Sequence, residues 1–331
     1  MATSKKSTPP KWAPFRIAPW FSERPWGNPD LRPWYDLAPD GKLIGEAWLN
    51  GDECVIASGP HSGQTMGSLF AGNPEALLGK AAQLDGGSPL LIKVIFAKEK
   101  LSVQVHPDDA MAQKYGDPRG KTECWYVLAT EPGAKVACGL KPGISQNDVM
   151  AGIEADTLEQ SLNMLDVAPG EVVFVDAGTV HAIWPGTILL ETQQYCDLTY
   201  RMYDYGRGRE LNIKKSLEAV RLVTQAGKVS PQKLAGRTML MDGDYFRVER
   251  LDLTGSRESS SLPGEDEPVA GLQYLFVAAG AAKIAGSGFD AVELPMGGLA
   301  AVPAASPAFV VEDRGGLNLM RITPRWPGVD R

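Results

Sequence analysis

The apolar runs of this chain are short, and turn-forming residues cut them apart. Among 331 residues, 36 glycines and 25 prolines punctuate segments rich in valine, isoleucine, leucine and aromatic side chains. Glycine admits positive φ and proline removes a backbone donor, so both interrupt regular structure. The segments 53–57, 90–97, 101–106, 124–129, 136–139, 171–175, 188–194 and 199–203 are therefore predicted as strands. Short strands with frequent turns favour an antiparallel barrel or sandwich. No glycine-rich loop opens a helix after a strand, so a nucleotide-binding α/β sheet is not expected.

Helical patterns are fewer. They cover 73–84, 146–155 followed by 157–164, and 213–224. In the last, Ile213, Leu217, Val220 and Val223 recur at amphipathic spacing. Gly227 and the Ser230-Pro231 pair then mark a boundary. Strands are predicted again at 246–251, 274–278, 282–284, 299–302, 309–311 and 317–322, and the Gly/Ser/Ala/Pro-rich stretch 279–308 reads as loosely packed loops. The expected organisation is a flexible tail at 1–19, a catalytic domain at 20–235 with helical insertions, and a C-terminal β domain at 236–331. No histidine follows His181, so no histidine metal chemistry is expected in that last part.

Composition excludes several classes. With 44% apolar and 22% charged residues the chain reads as globular. No run approaches the ~18 apolar residues of a membrane span. The polar start has no apolar core, so no secretory signal is expected. Cys54, Cys124, Cys138 and Cys196 show no Cys-x-x-Cys spacing and fit reduced thiols in a cytoplasm. A net charge of -7 argues against nucleic-acid binding. It leaves room for a local basic pocket that takes a small anion.

The chemistry concentrates in five stretches. In 101–109, Leu101, Val103 and Val105 alternate with Ser102, Gln104 and His106, so one strand face is apolar and the other carries a hydroxyl, an amide and an imidazole. In 120–128, Lys121, Glu123 and Trp125 share a face; the carboxylate could complete a metal site, or form a surface Lys-Glu pair of little energetic weight. In 169–183, Gly170, Gly178 and His181 follow the spacing by which cupin barrels place a metal-binding histidine, with Asp176 where proline is usual. In 189–205, Asp197, Thr199 and Arg201 share a face if the segment is a strand, and suit either proton chemistry or a structural ion pair. In 90–97, Lys93 interrupts an apolar strand and must find a partner, a ligand such as phosphate, or a path to water.

Together these stretches resemble the type I phosphomannose isomerases of the short bacterial kind. The matching pieces are Leu-Ser-Val-Gln-Val-His-Pro-Asp-Asp at 101–109, Gly-Lys-Thr-Glu-Cys-Trp-Tyr at 120–126, Gly-Thr-Val-His-Ala-Ile at 178–183 and Glu-Thr-Gln-Gln at 191–194, with Asp197 and Tyr200-Arg201 beyond. Weaker matches lie at 23–27 and 44–48, so the resemblance spans roughly residues 20–225. It implies a mainly β fold of two cupin-like jelly-roll barrel units with a few inserted helices, the second unit lacking a metal site. It implies one zinc ion per chain held by Gln104, His106, Glu123 and His181. Lys121, Asp197 and Arg201 would be catalytic, and Ser102 and Lys93 would lie near the substrate phosphate. The implied reaction interconverts mannose 6-phosphate and fructose 6-phosphate through a cis-enediolate, in a cytoplasmic monomer or dimer.

Chemistry alone leaves the base open between Asp197, a lysine and a hydroxide held by the zinc. Arg201 stays protonated and is not a base. Two alternatives remain beside this isomerase: a non-catalytic sugar-phosphate-binding cupin, and another metal-dependent cupin enzyme such as an iron oxygenase, which also uses two histidines and a carboxylate.

Overall fold

The computed structural model describes residues 11–36, 41–253, 255–258 and 271–328. The chain is mainly β and divides into two compact units. One comprises Met1–Trp20, Leu49–Pro89 and Pro231–Arg331, and the other Phe21–Trp48 and Leu90–Ser230. The expected segment 236–331 thus falls within the first unit, whereas 20–235 is divided between the two, since Leu49–Pro89 belongs to the first. Long-range pairing joins that first unit: Phe15–Ile17 forms a ladder with Leu299–Val302, and Phe15 and Ile17 are buried. Residues 15–17 are therefore part of a sheet rather than of a tail, while residues 1–10 lie outside the described residues.

The unit containing 90–230 is built from two sheets. The seven-stranded sheet runs, in order, Gly227–Val229, Val172–Val175, Glu123–Thr130, Thr187–Gln194, Leu90–Ala97, Ile44–Trp48 and Trp20–Asn28. The five-stranded sheet runs Tyr200–Tyr203, Val103–Val105, His181–Ile183, Lys135–Leu140 and Leu162–Asp166. Ile95, Trp125, Val127, Val173 and Leu189 of the first meet Val136, Cys138 and Ile183 of the second in one core. The two sheets pack face to face and do not close into one ring, so of the barrel and the sandwich expected the unit is a sandwich.

Helices cover the far face of the five-stranded sheet. Gln146–Glu154 begins at Ser145, whose side chain and that of Asp148 form a reciprocal capping box. With Ile213–Ala219 it covers Val103, Val105, Ala182, Tyr200 and Met202. The segment expected as a strand over 101–106 is a strand only over Val103–Val105; Val103 and Val105 are buried under the helices, which turns Gln104 to the other side, whereas Leu101 packs in the core between the sheets. The helix predicted to 224 stops at Ala219, because Val220 becomes extended (ψ 127°) and the Arg221 N–H donates to the Gly178 carbonyl at 2.9 Å. The helix predicted over 157–164 is a single 3-10 turn, Leu158–Ser161, followed by a strand.

The other unit repeats the two-sheet plan. A seven-stranded sheet, from Phe15–Ile17 to Gln232–Leu234, shares a core with a four-stranded sheet of Ser256–Glu258, Phe309–Asp313, Ala281–Gly286 and Phe289–Pro295. In the stretch 279–308, the expected strands at 282–284 and 299–302 form as Ala281–Gly286 and Leu299–Val302, Phe289–Pro295 is a strand where loops were expected, and Ala282, Ile284, Val292, Leu294 and Ala300 lie in that core. Small residues there fit tightly between sheets. The segment 53–57, expected as a strand, makes only isolated bridges through Val55 and Ile56. Among the described residues, no helix is long and apolar enough to cross a membrane.

Candidate active site

Strand register lines up two rows of polar side chains. Across the five-stranded sheet, Arg201, Gln104 and His181 are direct partners on three neighbouring strands. Across the seven-stranded sheet, Trp125, Glu191, Lys93 and Trp48 form one row over four strands, with Glu123 opposite Gln193 beside it. Members of both rows line a cavity of about 490 Å³.

His106, Glu123 and His181 converge and are buried. His106 Nε2 lies 3.6 Å from Glu123 Oε2, and His181 Nε2 lies 3.5 Å from Glu123 Oε1. Two glycines permit this approach. A side chain at Gly178 (φ 90°) would stand 2.7 Å from Arg221 Cγ, and one at Gly120 would stand 2.5 Å from backbone atoms of Pro107 and Asp108. The Gly178 N–H donates to the His106 carbonyl at 2.9 Å, and the Lys121 N–H to the Pro107 carbonyl at 3.0 Å. These bonds bring the three segments together. Asp176, in place of the expected proline, accepts from Thr179 Oγ1 at 2.8 Å and fixes the turn before His181. The Thr179 carbonyl in turn lies 2.9 Å from His181 Nδ1, leaving Nε2 facing Glu123.

The trio fits a metal ion. Among the described residues, both ring nitrogens of His106 and Glu123 Oε1 are buried without a hydrogen bond, and Glu123 Oε2 has the Lys121 ammonium at 3.2 Å. Such orphaned atoms are rare and call for a partner. Burial, reinforced by Lys121 and the second imidazole, holds His106 well below the usual histidine range. Burial likewise lowers His181 to about 4. Both imidazoles are thus neutral, with lone pairs to offer. Two imidazoles and a carboxylate make a normal zinc donor set. Gln104 adjoins it, with Nε2 3.2 Å from His181 Nε2 and Oε1 accepting from Ser102 Oγ at 3.1 Å. A half-turn of this amide would present its oxygen instead.

The remaining predicted residues line the same cavity: Lys93, Ser102, Lys121, Asp197 and Arg201. Lys121 Nζ stands 3.2 Å from Glu123 Oε2. Burial opposes its charge, but Glu123, Glu191 and Asp197 outweigh burial and hold it above the ordinary lysine range. Lys93 is satisfied within the protein: its ammonium lies 2.9 Å from Asp197 Oδ1 and 4.4 Å from the centre of the Trp48 ring. Burial pushes Asp197 upward, but Lys93 and Lys121 prevail and lower it. Asp197 and Thr199 precede the strand Tyr200–Tyr203 rather than lying within it. Arg201 Nε donates to Ser102 Oγ at 3.3 Å and its Nη1 to the Glu210 carbonyl at 3.0 Å.

Several lining residues had no role in the sequence analysis. Glu191 accepts from Trp125 Nε1 at 3.1 Å, and burial together with the Glu123 charge raises it to about 7. Glu46 holds Arg24 and Trp48 Nε1, each at 2.8 Å. The available signal was an acid inside an apolar strand, as in Thr187–Gln194.

Comparison with known proteins bears on this site. The model of the type I phosphomannose isomerase catalytic domain matches residues 15–134. The mannose-6-phosphate isomerase ManA of Bacillus subtilis is 35% identical over 289 residues, covering 80% of this chain and 89% of that protein. The mannose-6-phosphate isomerase of Streptococcus mutans is 32% identical over 246 residues, covering 70% and 76%. The crystal structure of the Bacillus subtilis mannose 6-phosphate isomerase superposes with a TM-score of 0.81 at 27% identity, covering 94% of this chain and 99% of that one. The chain therefore belongs to the type I phosphomannose isomerase family.

Proposed function

We propose that the chain is a zinc-dependent aldose–ketose isomerase that interconverts mannose 6-phosphate and fructose 6-phosphate through a cis-enediolate. The observation that carries this is the buried His106–Glu123–His181 cluster, with its orphaned donor atoms, beside a cavity lined by both basic and acidic side chains, Arg24, Lys121, Arg201 and Arg209 among the bases. Gln104 is the fourth candidate ligand. Zinc bound there would supply Lewis-acid polarisation of the substrate carbonyl and of the enediolate charge.

The protein's own groups divide the remaining work. Lys121 stays protonated in its nest of carboxylates, so it acts as a cation and proton donor rather than as the base. Among the protein's own groups, the carboxylates are then the candidate bases. Asp197 is ionised and solvent-accessible, whereas Glu191, near neutrality, can both take and return a proton around pH 7. Arg201 remains charged and orients substrate oxygens. The four cysteines are buried thiols outside any disulfide, which supports a cytoplasmic setting. Each two-sheet unit is read as an open jelly roll of cupin type, with the chemistry confined to the unit containing 90–230.

The test is a coupled isomerase assay with and without chelator, paired with metal analysis. Activity on mannose 6-phosphate that chelation abolishes and zinc restores is expected. Binding of mannose 6-phosphate without turnover in zinc-loaded protein would overturn the proposal.

A further inference from the structure

Resting on that reading of the site, we propose that Arg24 and Arg209 form, with Arg201 and Ser102, the clamp that holds the substrate's phosphate monoester. All four line the cavity. Ser102 Oγ lies 3.1 Å from Gln104 Oε1, and Gln104 Nε2 lies 3.2 Å from His181 Nε2, so the clamp is set off from the metal cluster by one amide side chain. One end of the cavity thus takes the phosphate and the other the reacting carbons.

Each guanidinium is already fixed. Arg24 donates to Glu46 at 2.8 Å and to Ser22 at 2.5 Å. Arg209 bonds both oxygens of Asp204, and Arg201 is held by Ser102 and the Glu210 carbonyl. A pre-set fork loses little freedom when an anion arrives. Donors remain: among the described residues, Arg24 Nε, Arg201 Nη2 and Arg209 Nη1 make no hydrogen bond. After burial, Arg209 and Arg24 are among the influences that lower Arg201, as like charges held close together do. An anion between them relieves that repulsion.

Lys93 is the less suitable phosphate partner. Its side chain is buried, with Asp197 at 2.9 Å and Glu191 at 3.9 Å, so a phosphate dianion there would meet two carboxylates. Its place is to neutralise those acids. The phosphate role expected for Lys93 thereby moves to the arginines, while Ser102 keeps its own and links the two ends through its bond to Gln104.

The experiment compares wild type with Arg24→Gln and Arg209→Gln, each assayed for KM, kcat, zinc content and competitive inhibition by inorganic phosphate. Loss of one charge-assisted contact should raise KM and the phosphate inhibition constant together, roughly 10- to 100-fold, with a smaller fall in kcat and zinc retained. Lys93→Met should lower kcat and leave phosphate inhibition as it was. Arginine variants with unchanged KM and phosphate inhibition would overturn the clamp. So would a loss confined to kcat. Should Arg209→Gln fail to fold, Arg24→Gln, in the strand Trp20–Asn28 rather than in the loop after Tyr203, carries the test. Should wild type show no isomerase activity, the proposed function falls by itself. Thermal stabilisation by inorganic phosphate, present in wild type and lost in the variants, would still identify the clamp, and its persistence in them would refute it.

Discussion

Replacing Lys93 by methionine tests how the buried charges are balanced. The ammonium lies 3.9 Å from Glu191 and 2.9 Å from Asp197; the lysine side chain is 2% exposed, Glu191 6% and Asp197 52%. At an effective dielectric near 20, unit charges at the Glu191 distance attract by about 4 kcal/mol before desolvation is counted. Asp197 adds less than its distance implies, because water screens it. Methionine keeps the length and apolar stem, so packing changes little. The loss therefore falls on Glu191, which can escape it by binding a proton. Burial and Glu123 already raise its pKa from 4.5 to about 7, and removing Lys93 raises it further. In the folded state Glu191 then binds more protons than in the unfolded state, so stability falls as pH rises from 4.5 to the folded value. Below about pH 7 wild type and variant both carry the protonated acid and differ little; above it only the variant goes on losing stability. We expect Lys93→Met to cost about 2–3 kcal/mol near pH 8.5 and under about 1 kcal/mol near pH 6. Urea unfolding followed by tryptophan fluorescence, in chelator to remove metal linkage, measures both. An equal cost at the two pH values, or none at the higher one, would refute this charge balance.

Three further outcomes are expected. His106→Ala, Glu123→Ala and His181→Ala should each abolish zinc retention and activity, as metal analysis of dialysed protein would show; full activity in any one would remove that residue from the centre. Gly178→Ala should cost about 1–3 kcal/mol, because φ of 90° strains alanine and its side chain meets Arg221; a melting curve and a zinc titration should show lower stability and weaker metal binding, since the turn sets His181. Arg201→Ala should retain zinc, raise KM with the other clamp variants and also lose turnover, and unchanged turnover would end its catalytic assignment.

What was legible in the sequence lies mostly within single strands. Leu90–Ala97 was bounded correctly because an unbroken apolar run with turn residues at both ends has few other solutions. The polar face of Ser102, Gln104 and His106 followed from alternation alone. Within 279–308 the sequence hides the strand Phe289–Pro295 and the tight packing, because alanine and glycine resemble loop composition, although Ala282 and Ala300 are buried between the sheets. The discontinuous units were hidden because nothing local in Phe15–Ile17 names Leu299–Val302 as its partner. The same holds inside the site. Lys93 was recognised as a charge needing a partner, and Glu191 lay in a matched motif without a role, yet register makes them direct neighbours. A register shift of one residue would turn either charge to the opposite face. Two charges in separate apolar strands, each too costly to bury alone, therefore predict each other. That pairing constrains strand order as well as chemistry, because it holds only if Thr187–Gln194 lies beside Leu90–Ala97, as it does here.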